Sequence, residues 1–196
     1  MEKRYAILKS GDFETREGVN EAGEKEMVIS GYFARFDDIY DYGYGVTESI
    51  DPNAFHLERD KDVRVLTDHD SKLVLGRTTA GTAELFVDSV GLGGRVLINP
   101  KDQDAVNTWA RVERRDVTQC SFGFDILSEQ EDVRADGTVH YTLKDVKLYE
   151  VSVCTFPAYE GTSIEARHKD AESLKKRTFE AWKKGIAEKH EWLKEA

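Results

Sequence analysis

The segment from Thr118 to Leu127 alternates between apolar and polar residues, and this pattern limits what the chain can fold into. Successive side chains of a β-strand point to opposite faces, so the segment predicts a strand with one face in the core. The apolar face carries Cys120, Phe122, Phe124 and Ile126, and the other carries Gln119, Ser121, Gly123 and Asp125. The core is therefore expected on the aromatic face of this strand.

Strand patterns recur along the chain. Segments rich in β-branched and aromatic residues occupy residues 27–36, 63–69, 139–143 and 146–156. Residues 78–87 and 92–98 are two apolar runs joined by a short loop that contains Gly91, which predicts an antiparallel hairpin. Strands therefore dominate the predicted fold.

Three segments are predicted to be helical. Asp51-Pro52 supplies an N-cap and a first-turn proline, which favours a short helix over residues 52–59. An interior helix follows Asn99-Pro100, and a long amphipathic helix is expected beyond Gly161, where the chain becomes rich in Lys, Glu and Ala. The apolar positions of these two helices are Ala105, Val106, Trp109 and Val112 in the first, and Phe179, Trp182, Ile186 and Leu193 in the second.

Together these elements predict a mainly β fold of the α+β class. We expect a six- to seven-stranded antiparallel barrel with peripheral helices and a long C-terminal helix. Residues 164–196 hold nine Lys or Arg and seven Asp or Glu, although acidic residues prevail in the whole chain, with 38 against 28. The charge pattern thus predicts a barrel domain over residues 1–163 and a charged amphipathic helix over residues 164–196.

Composition disfavours several classes of protein. The net charge of −10 would repel phosphate backbones, which argues against a nucleic-acid partner. No apolar run reaches the roughly 18 residues of a spanning helix, and the N-terminus lacks the apolar stretch of a signal peptide. Two cysteines, with no Cys/His zinc pattern, indicate free thiols. We therefore expect a soluble, unsecreted protein without a membrane partner, cofactor or metal.

His69 is the candidate general base among the five histidines, because it ends an apolar strand between polar neighbours. If the strand continues, Asp68 and Asp70 point to opposite faces. Neither is then well placed to orient the imidazole unless the chain turns there, so a third group elsewhere is the more plausible partner. The alternative is a histidine that caps the strand end and bonds only to its neighbours.

Ser121 is the candidate nucleophile. It lies on the face of its strand opposite the aromatic residues, so its hydroxyl should emerge from a rigid element. Gly123, two residues further on the same face, would leave a space in which a substrate carbonyl could approach. The alternative is an ordinary solvated serine on the outer face of a strand.

Glu150 stands on a strand face shared with Val146, Leu148, Ser152 and Cys154. A carboxylate in such a place needs a hydrogen bond or an opposite charge, and holding an imidazole would meet that need. An ion pair with a surface arginine is the alternative. Cys120 could in principle be the nucleophile, but its phase puts it on the core face. A metal site formed by Asp68, His69 and Asp70 lacks a recognisable fourth ligand.

Taken together, several strings resemble the prohead (capsid maturation) protease family of tailed bacteriophages, relatives of herpesvirus assemblin. The resemblance spans about residues 28–167, and the strings occur in the family's order. They are Gly31-Tyr32-Phe33-Ala34-Arg35-Phe36, Asp51-Pro52-Asn53-Ala54-Phe55, Val65-Leu66-Thr67-Asp68-His69-Asp70, Leu75-Gly76-Arg77-Thr78, Ser121-Phe122-Gly123-Phe124 and Glu150-Val151-Ser152-Val153-Cys154-Thr155-Phe156-Pro157-Ala158-Tyr159.

The resemblance implies a serine protease with His69 as base and Ser121 as nucleophile. Glu150 falls at the place of the second histidine of assemblin, so the implied triad is Ser-His-Glu. The arginine that serves the oxyanion in assemblin has no clear counterpart, because Ala158 and Tyr159 occupy the comparable stretch. Arg167 and backbone N–H groups near Gly123 are the candidates for that role.

The resemblance also implies the setting of the reaction. The expected substrates are the scaffolding protein and the N-terminal region of the major capsid protein, cleaved inside the procapsid in the host cytoplasm, with self-cleavage afterwards. The C-terminal helix could dock to scaffold or to a second copy of the chain; the alternative is that it packs on the barrel. Two alternatives stay open: a non-catalytic assembly module with the same fold, and a metal-dependent hydrolase that uses Asp68, His69 and Asp70.

Overall fold

The structure is a computed structural model that describes residues 4–8, 13–19, 23, 25–134, 136–156, 172–176, 179, 180 and 183. In chain order, its strands are β1 (Arg4–Leu8), β2 (Glu14–Val19), β3 (Lys25–Arg35), β4 (Tyr40–Gly43), β5 (Val46–Ile50), β6 (Arg64–Thr67), β7 (Asp70–Arg77), β8 (Ala83–Val87), β9 (Gly91–Ile98), β10 (Gln119–Val133) and β11 (Val139–Cys154). Helix α1 runs over Gln103–Glu113, and a short 3-10 helix covers Thr78–Ala80.

The strands form two sheets. In the larger sheet the order is β1-β10-β11-β5-β4, and β6 and β7 branch from β11. Strand β11 pairs in parallel first with β5 and then with β6, whereas its pairing with β10 is antiparallel. The smaller sheet has the order β2-β3-β9-β8 and is antiparallel throughout.

The mainly β class is confirmed, but the predicted closed antiparallel barrel of six or seven strands is wrong. The described strands form two sheets that do not close on each other, and two of the pairings of β11 are parallel. Period-two patterns specify which face of a strand is buried, but they do not specify which strands become neighbours.

One cluster of buried apolar side chains joins the two sheets. Ile29 and Val96 enter it from the smaller sheet, and Phe122 and Val151 enter it from the larger one. The aromatic face of β10 therefore points into the core, as predicted. Cys120 belongs to the same cluster, where its thiol donates to the carbonyl of Tyr32 at 3.3 Å.

Helix α1 and the β8–β9 hairpin are found as predicted, except that residues 78–80 form the 3-10 helix and the first strand of the hairpin begins only at Ala83. The Asp102 side chain caps the helix by accepting hydrogen bonds from the backbone N–H groups of Asp104 and Ala105. The Trp109 indole is buried and donates to the carbonyl of Val28 on β3 at 3.1 Å. The apolar stripe of the helix thus packs on the smaller sheet.

The helix predicted over residues 52–59 is wrong. Asp51 caps a turn instead, because its side chain accepts a hydrogen bond from the backbone N–H of Asn53 at 2.9 Å. Phe55 then makes an isolated bridge with Val146 of β11. Asp51 thus caps the backbone as predicted, but the residues after it pair with β11 instead of forming a helix.

The predicted C-terminal helix lies mostly outside the described residues, and Trp182, Ile186 and Leu193 are among those not described. Residues 172–176, 179, 180 and 183 are helical. The division into residues 1–163 and 164–196 stays a prediction. Within the described part of the chain, no helix has the length and apolar character of a membrane span.

Gly91 opens β9 at a place where a larger residue cannot fit. A Cβ atom there would overlap the carbonyl oxygen of Ala34 on β3. We expect Gly91→Ala to lower the free energy of unfolding by about 1–3 kcal/mol, because the two strands must move apart. Gly18→Ala is the matched control, since nothing lies within 4 Å of its Cβ position. Urea titration measures both, and equal stability of the two variants would contradict the assigned strand packing.

His140 of β11 predicts a dependence of stability on pH. Its two ring nitrogens lie 2.8 Å from the Thr47 hydroxyl and 2.9 Å from the Ser49 hydroxyl. Burial lowers the pKa of His140 below 6.5; Arg134 lowers it further, and Asp132 opposes the shift. The unfolded chain therefore takes up this proton first, so the stability due to a neutral His140 is lost as pH falls below about 6.5.

Urea titrations at pH 8 and pH 5.5 test this dependence. We expect wild type to lose more stability on acidification than His140→Gln, whose side chain cannot take up the proton. Identical pH slopes for wild type and His140→Gln would show that the ring is not the group responsible.

Candidate active site

His69 lies in a tight turn between β6 and β7. Thr67 pairs with Asp70, so the hairpin loop consists of Asp68 and His69 alone, with φ angles of 51° and 58°. Two positive φ values in a two-residue loop are the geometry of a type I′ turn, which matches the twist of the flanking strands. The predicted strand therefore ends before His69, and the chain turns at the position where the sequence analysis had left that possibility open.

Hydrogen bonds to β11 and to the residue after it hold this turn in place. The Asp68 backbone N–H donates to the carbonyl of Val153 at 2.9 Å, and the Asp68 carboxylate accepts from the backbone N–H of Thr155 at 2.7 Å. The His69 backbone N–H donates to the Ser152 hydroxyl at 3.3 Å. These bonds offset a left-handed backbone that costs roughly 1–2 kcal/mol per non-glycine residue. The imidazole is thereby fixed relative to β11.

A β-bulge in β11 determines where Glu150 points. Glu150 pairs with Gly123 of β10, but the next residue of β10, Phe124, pairs with Leu148, so Tyr149 is an extra residue. Such an insertion breaks the two-residue alternation. Val146, Leu148 and Val151 therefore all join the core. The prediction that Glu150 shares a face with Val146 and Leu148 is wrong for this reason.

The Glu150 carboxylate makes two short hydrogen bonds. Its Oε1 lies 2.6 Å from Nδ1 of His69, and its Oε2 accepts from the Ser152 hydroxyl at 2.6 Å. Only 9% of the His69 side chain and 11% of the Glu150 side chain are exposed. Because an ionised carboxylate can only accept, this pairing assigns the proton to Nδ1 of His69. A neutral imidazole then has its lone pair on Nε2, where it can accept a proton.

Gly123 makes room for this carboxylate. A Cβ atom at residue 123 would lie 2.5 Å from Oε1 of Glu150. The expected space for a substrate carbonyl is therefore occupied, and that part of the sequence interpretation is wrong. The proposal that backbone N–H groups near Gly123 serve the oxyanion stays a prediction. Arg167, the other candidate for that role, lies outside the described residues.

Ser121 lies on the same face of the sheet as Glu150. It is directly opposite Ser152 in the β10–β11 ladder, two residues from Gly123. Opposite residues of an antiparallel pair point to the same face, so the Ser121 side chain shares the face over which His69 folds. Ser121 is 0% exposed, which corrects the expectation of a solvent-facing hydroxyl. The face opposite the aromatic core is covered here, not open.

Cys154 places a thiol in the site that the sequence analysis passed over. Its sulfur lies 3.8 Å from Nε2 of His69 and is buried. Burial raises the pKa of Cys154, and the charges of Asp68 and Glu150 raise it further. The thiol therefore stays protonated, which is the opposite of what an activated cysteine needs.

Ser152 was also missed as a site residue. It bonds both the Glu150 carboxylate and the His69 backbone, and it is fully buried. Its position two residues after Glu150 was a usable signal, because strand residues at that spacing share a face. The sequence analysis placed Ser152 on the face of Glu150 but assigned it no role.

The side chains proposed for a metal site are engaged elsewhere. Asp68 accepts from Thr155, and Asp70 accepts from the backbone N–H of Lys72 at 2.8 Å. Among the residues that the structure describes, no group of three or more His, Cys, Asp or Glu side chains is arranged to hold a metal ion. The metal-dependent alternative thus gains no support from this geometry.

Known proteins that are similar to this chain identify its family. The family model for the caudovirus prohead serine protease matches residues 12–177. Among solved structures, the bacteriophage T4 capsid assembly protease gp21 is similar, with 11% identity, a TM-score of 0.47 and coverage of 80% of this chain and 100% of that chain. No curated protein matches significantly. The family resemblance predicted from the sequence motifs is confirmed, since the family match covers most of the chain, and the chain belongs to the caudovirus prohead serine protease family.

Proposed function

We propose that this serine protease uses Ser121, His69 and Glu150 as its catalytic triad and cleaves capsid assembly proteins. The contact of 2.6 Å between Glu150 and Nδ1 of His69 carries the proposal, because it leaves Nε2 of the imidazole to act as base. Ser121 is the hydroxyl that the β10 ladder presents on the same face. A serine protease needs a nucleophile, a base and a carboxylate that orients the base, and Ser121, His69 and Glu150 are proposed for these roles in that order.

The reaction is acyl transfer. Ser121 Oγ attacks the peptide carbonyl while His69 Nε2 accepts the hydroxyl proton, and the imidazolium then gives that proton to the leaving amine. Water enters by the same route and releases the acyl group, with His69 again acting as base. Glu150 keeps the imidazole in one tautomer and stabilises its positive charge. Because Ser121 is buried, a substrate carbonyl reaches its hydroxyl only after neighbouring groups move.

The proposed substrates are the scaffolding protein and the N-terminal region of the major capsid protein, with self-cleavage as a further step. Family membership supports this assignment, since prohead proteases act in capsid maturation. The proposed location is the interior of the procapsid in the host cytoplasm. Residues 164–196 are proposed to dock to scaffold or to a second copy of the chain, and Arg167 stays a candidate for the oxyanion role.

A non-catalytic assembly module is the competing function. It would keep the fold and would bind scaffold or capsid protein without cleaving it. The two functions differ in one observable, which is whether processing depends on the hydroxyl of residue 121.

Ser121→Ala tests the nucleophile. We expect the variant to fold and to lose cleavage of co-expressed scaffold and capsid protein by about 10⁴-fold or more, as in other serine proteases. His69→Ala should lose as much, and the double variant should be no worse, because the two residues act as a unit. Intact mass spectrometry of the co-expressed proteins is the measurement.

Cys154→Ala is the matched control for this experiment, because it removes the thiol that lies 3.8 Å from Nε2 of His69 while Ser121 remains. It should keep most of the activity. Full processing by Ser121→Ala, or complete loss in Cys154→Ala with an intact fold, would reject Ser121 as the nucleophile.

Glu150→Gln and Ser152→Ala test the orienting carboxylate. We expect Glu150→Gln to lower kcat by about 10²–10⁴-fold, less than the loss of Ser121, because an amide still fits but no longer stabilises the imidazolium. Ser152→Ala removes one hydrogen bond to a charged group, which corresponds to a decrease of about 10- to 100-fold. Both changes should act on kcat with little effect on KM in a peptide cleavage assay. Wild-type kcat in Glu150→Gln would remove Glu150 from the triad.

A further inference from the structure

Strand β8 is the outer strand of the smaller sheet, and one of its two edges is open. Among the described strands it pairs with β9 alone. At the two ends of this ladder, the carbonyl of Thr82 and the N–H of Asp88 are bonded to β9. Hydrogen-bonded positions alternate along an antiparallel ladder, so Glu84 and Phe86 also bond to β9. The backbone groups of the residues between them therefore point away from the sheet.

These outward-facing residues are Ala83, Leu85 and Val87. Within the described part of the chain, no hydrogen bond from another element reaches their N–H and carbonyl groups. Such a row of unpaired groups is a template to which an extended chain can add as a further strand. Edges that avoid this pairing commonly carry charges or proline. Strand β2, at the other edge of the same sheet, has three charged residues among six, whereas β8 has one among five and no proline.

A cavity with a volume of about 290 Å³ lies beside the open edge of β8. Leu57, Ala83 and Leu85 supply its apolar lining, and the carboxylate of Asp60 in its wall is paired with the Arg59 guanidinium at 3.0 Å. Residues paired across two strands point to the same face of a sheet. A side chain of an added strand opposite Leu85 would therefore enter this cavity.

Exposed charges at this edge determine which kind of chain fits. Glu58 and Glu84 are exposed, and neither forms an ion pair with another described residue, whereas Lys61 is the one cation that the described residues place in the lining. Phe86, 42% exposed, shares the outer face of β8 with Glu84, and its ring lies against Gly93. A lysine or arginine on that face would pair with the carboxylate and cover the ring.

The same charges disfavour a second copy of this chain as the occupant. Pairing β8 with β8 of another copy would bring together two sets of Glu58 and Glu84 against two Lys61 side chains, which doubles the excess of carboxylates. Like charges across an interface suppress association, and opposite charges favour it. A basic segment of another polypeptide therefore suits the edge better.

We propose that β8 and the adjoining cavity bind an extended polypeptide segment, which adds to the smaller sheet as a further strand. Its basic residues lie beside Glu84 and Phe86, and one apolar side chain enters the cavity. Thr78, which lines the cavity, follows β7 at the end opposite His69. The eight residues of β7 span about 25 Å, so this site is separate from the proposed triad and does not depend on it.

Two synthetic peptides test the proposal by fluorescence anisotropy with the full chain. Lysine alternates with leucine in the first, and glutamate alternates with leucine in the second. At low salt we expect the lysine peptide to bind about 10-fold or more tightly than the glutamate peptide, and added salt should weaken its binding. The Ser121→Ala chain should bind it as wild type does, so a failure here leaves the proposed triad standing.

Amide hydrogen exchange followed by NMR locates the bound peptide. In the free chain, the N–H groups of Glu84 and Phe86 should be protected by β9, while those of Ala83, Leu85 and Val87 exchange faster. The lysine peptide should slow exchange of the second set by about 10-fold or more and leave the first set unchanged. Protection confined to other parts of the chain would overturn the proposal.

Two variants of β8 and one control complete the test. Ala83→Pro removes an outward N–H at the first residue of an edge strand, where proline is tolerated, and should weaken the lysine peptide about 10-fold. Glu84→Lys should weaken it about 3- to 10-fold and strengthen binding of the glutamate peptide. Glu14→Lys makes the same change of charge at an exposed position of β2 and should leave both affinities within about 2-fold of wild type.

The remaining outcomes decide against the site. Equal affinities for the two peptides, no binding of the lysine peptide, or binding unchanged in both Ala83→Pro and Glu84→Lys would overturn it. If Ala83→Pro does not fold, the exchange pattern and Glu84→Lys still decide. Protection of the outward N–H groups that rises with protein concentration in the absence of peptide would identify a second copy as the occupant and would likewise overturn the proposal.

Discussion

The buried carboxylate of Glu150 is the constraint on which the arrangement of this site depends. A carboxylate with little access to water costs several kcal/mol unless charge and hydrogen bonds compensate for it. Here Nδ1 of His69 and the Ser152 hydroxyl supply two bonds of 2.6 Å each. Residue 123 has to be glycine for the carboxylate to fit. One charged group thus determines the residues allowed on β10, on β11 and in the β6–β7 turn.

Strand β11 provides the rigid support for these groups. It pairs with β10 on one side and with β5 and then β6 on the other, so it is held along most of its length. Its core face carries Val151 and Val153, while Glu150 and Ser152 lie on the opposite face. Sites built on paired strands hold their geometry better than sites on loops. His69 alone comes from a loop, and bonds to β11 hold that loop.

Much of the fold could be predicted from periodicity. Three features could be predicted because each depends on residues close in sequence: the alternation in β10, the β8–β9 hairpin and the apolar stripe of helix α1. The two-sheet topology was not recoverable, and a closed barrel was predicted in its place, because the pairing partners of a strand are chosen by long-range packing. The helix over residues 52–59 failed because a contact with Val146, far away in the chain, competes with local helix signals.

The site shows the same division between local and distant information. The chemistry of their side chains was enough to single out His69, Ser121 and Glu150. A strict two-residue alternation could not predict how deeply they are buried or which face of the sheet they lie on. Tyr149 illustrates the reason, because a single extra residue changes the face of every side chain after it. The burial of Ser121 and the filling of the space at Gly123 likewise depend on groups from other strands.

The bulge at Tyr149 also has a consequence for how the chain assembles. Without it, regular pairing of β10 and β11 would drive Glu150 and Ser152 into the apolar interior and expel Val151 and Val153 into the polar surroundings of the site. Burying the polar side chains and exposing the apolar ones both cost free energy. Because the two occur together, a misaligned β10–β11 hairpin is strongly disfavoured. The polar groups of the proposed site therefore also act during folding as a safeguard against mispaired strands.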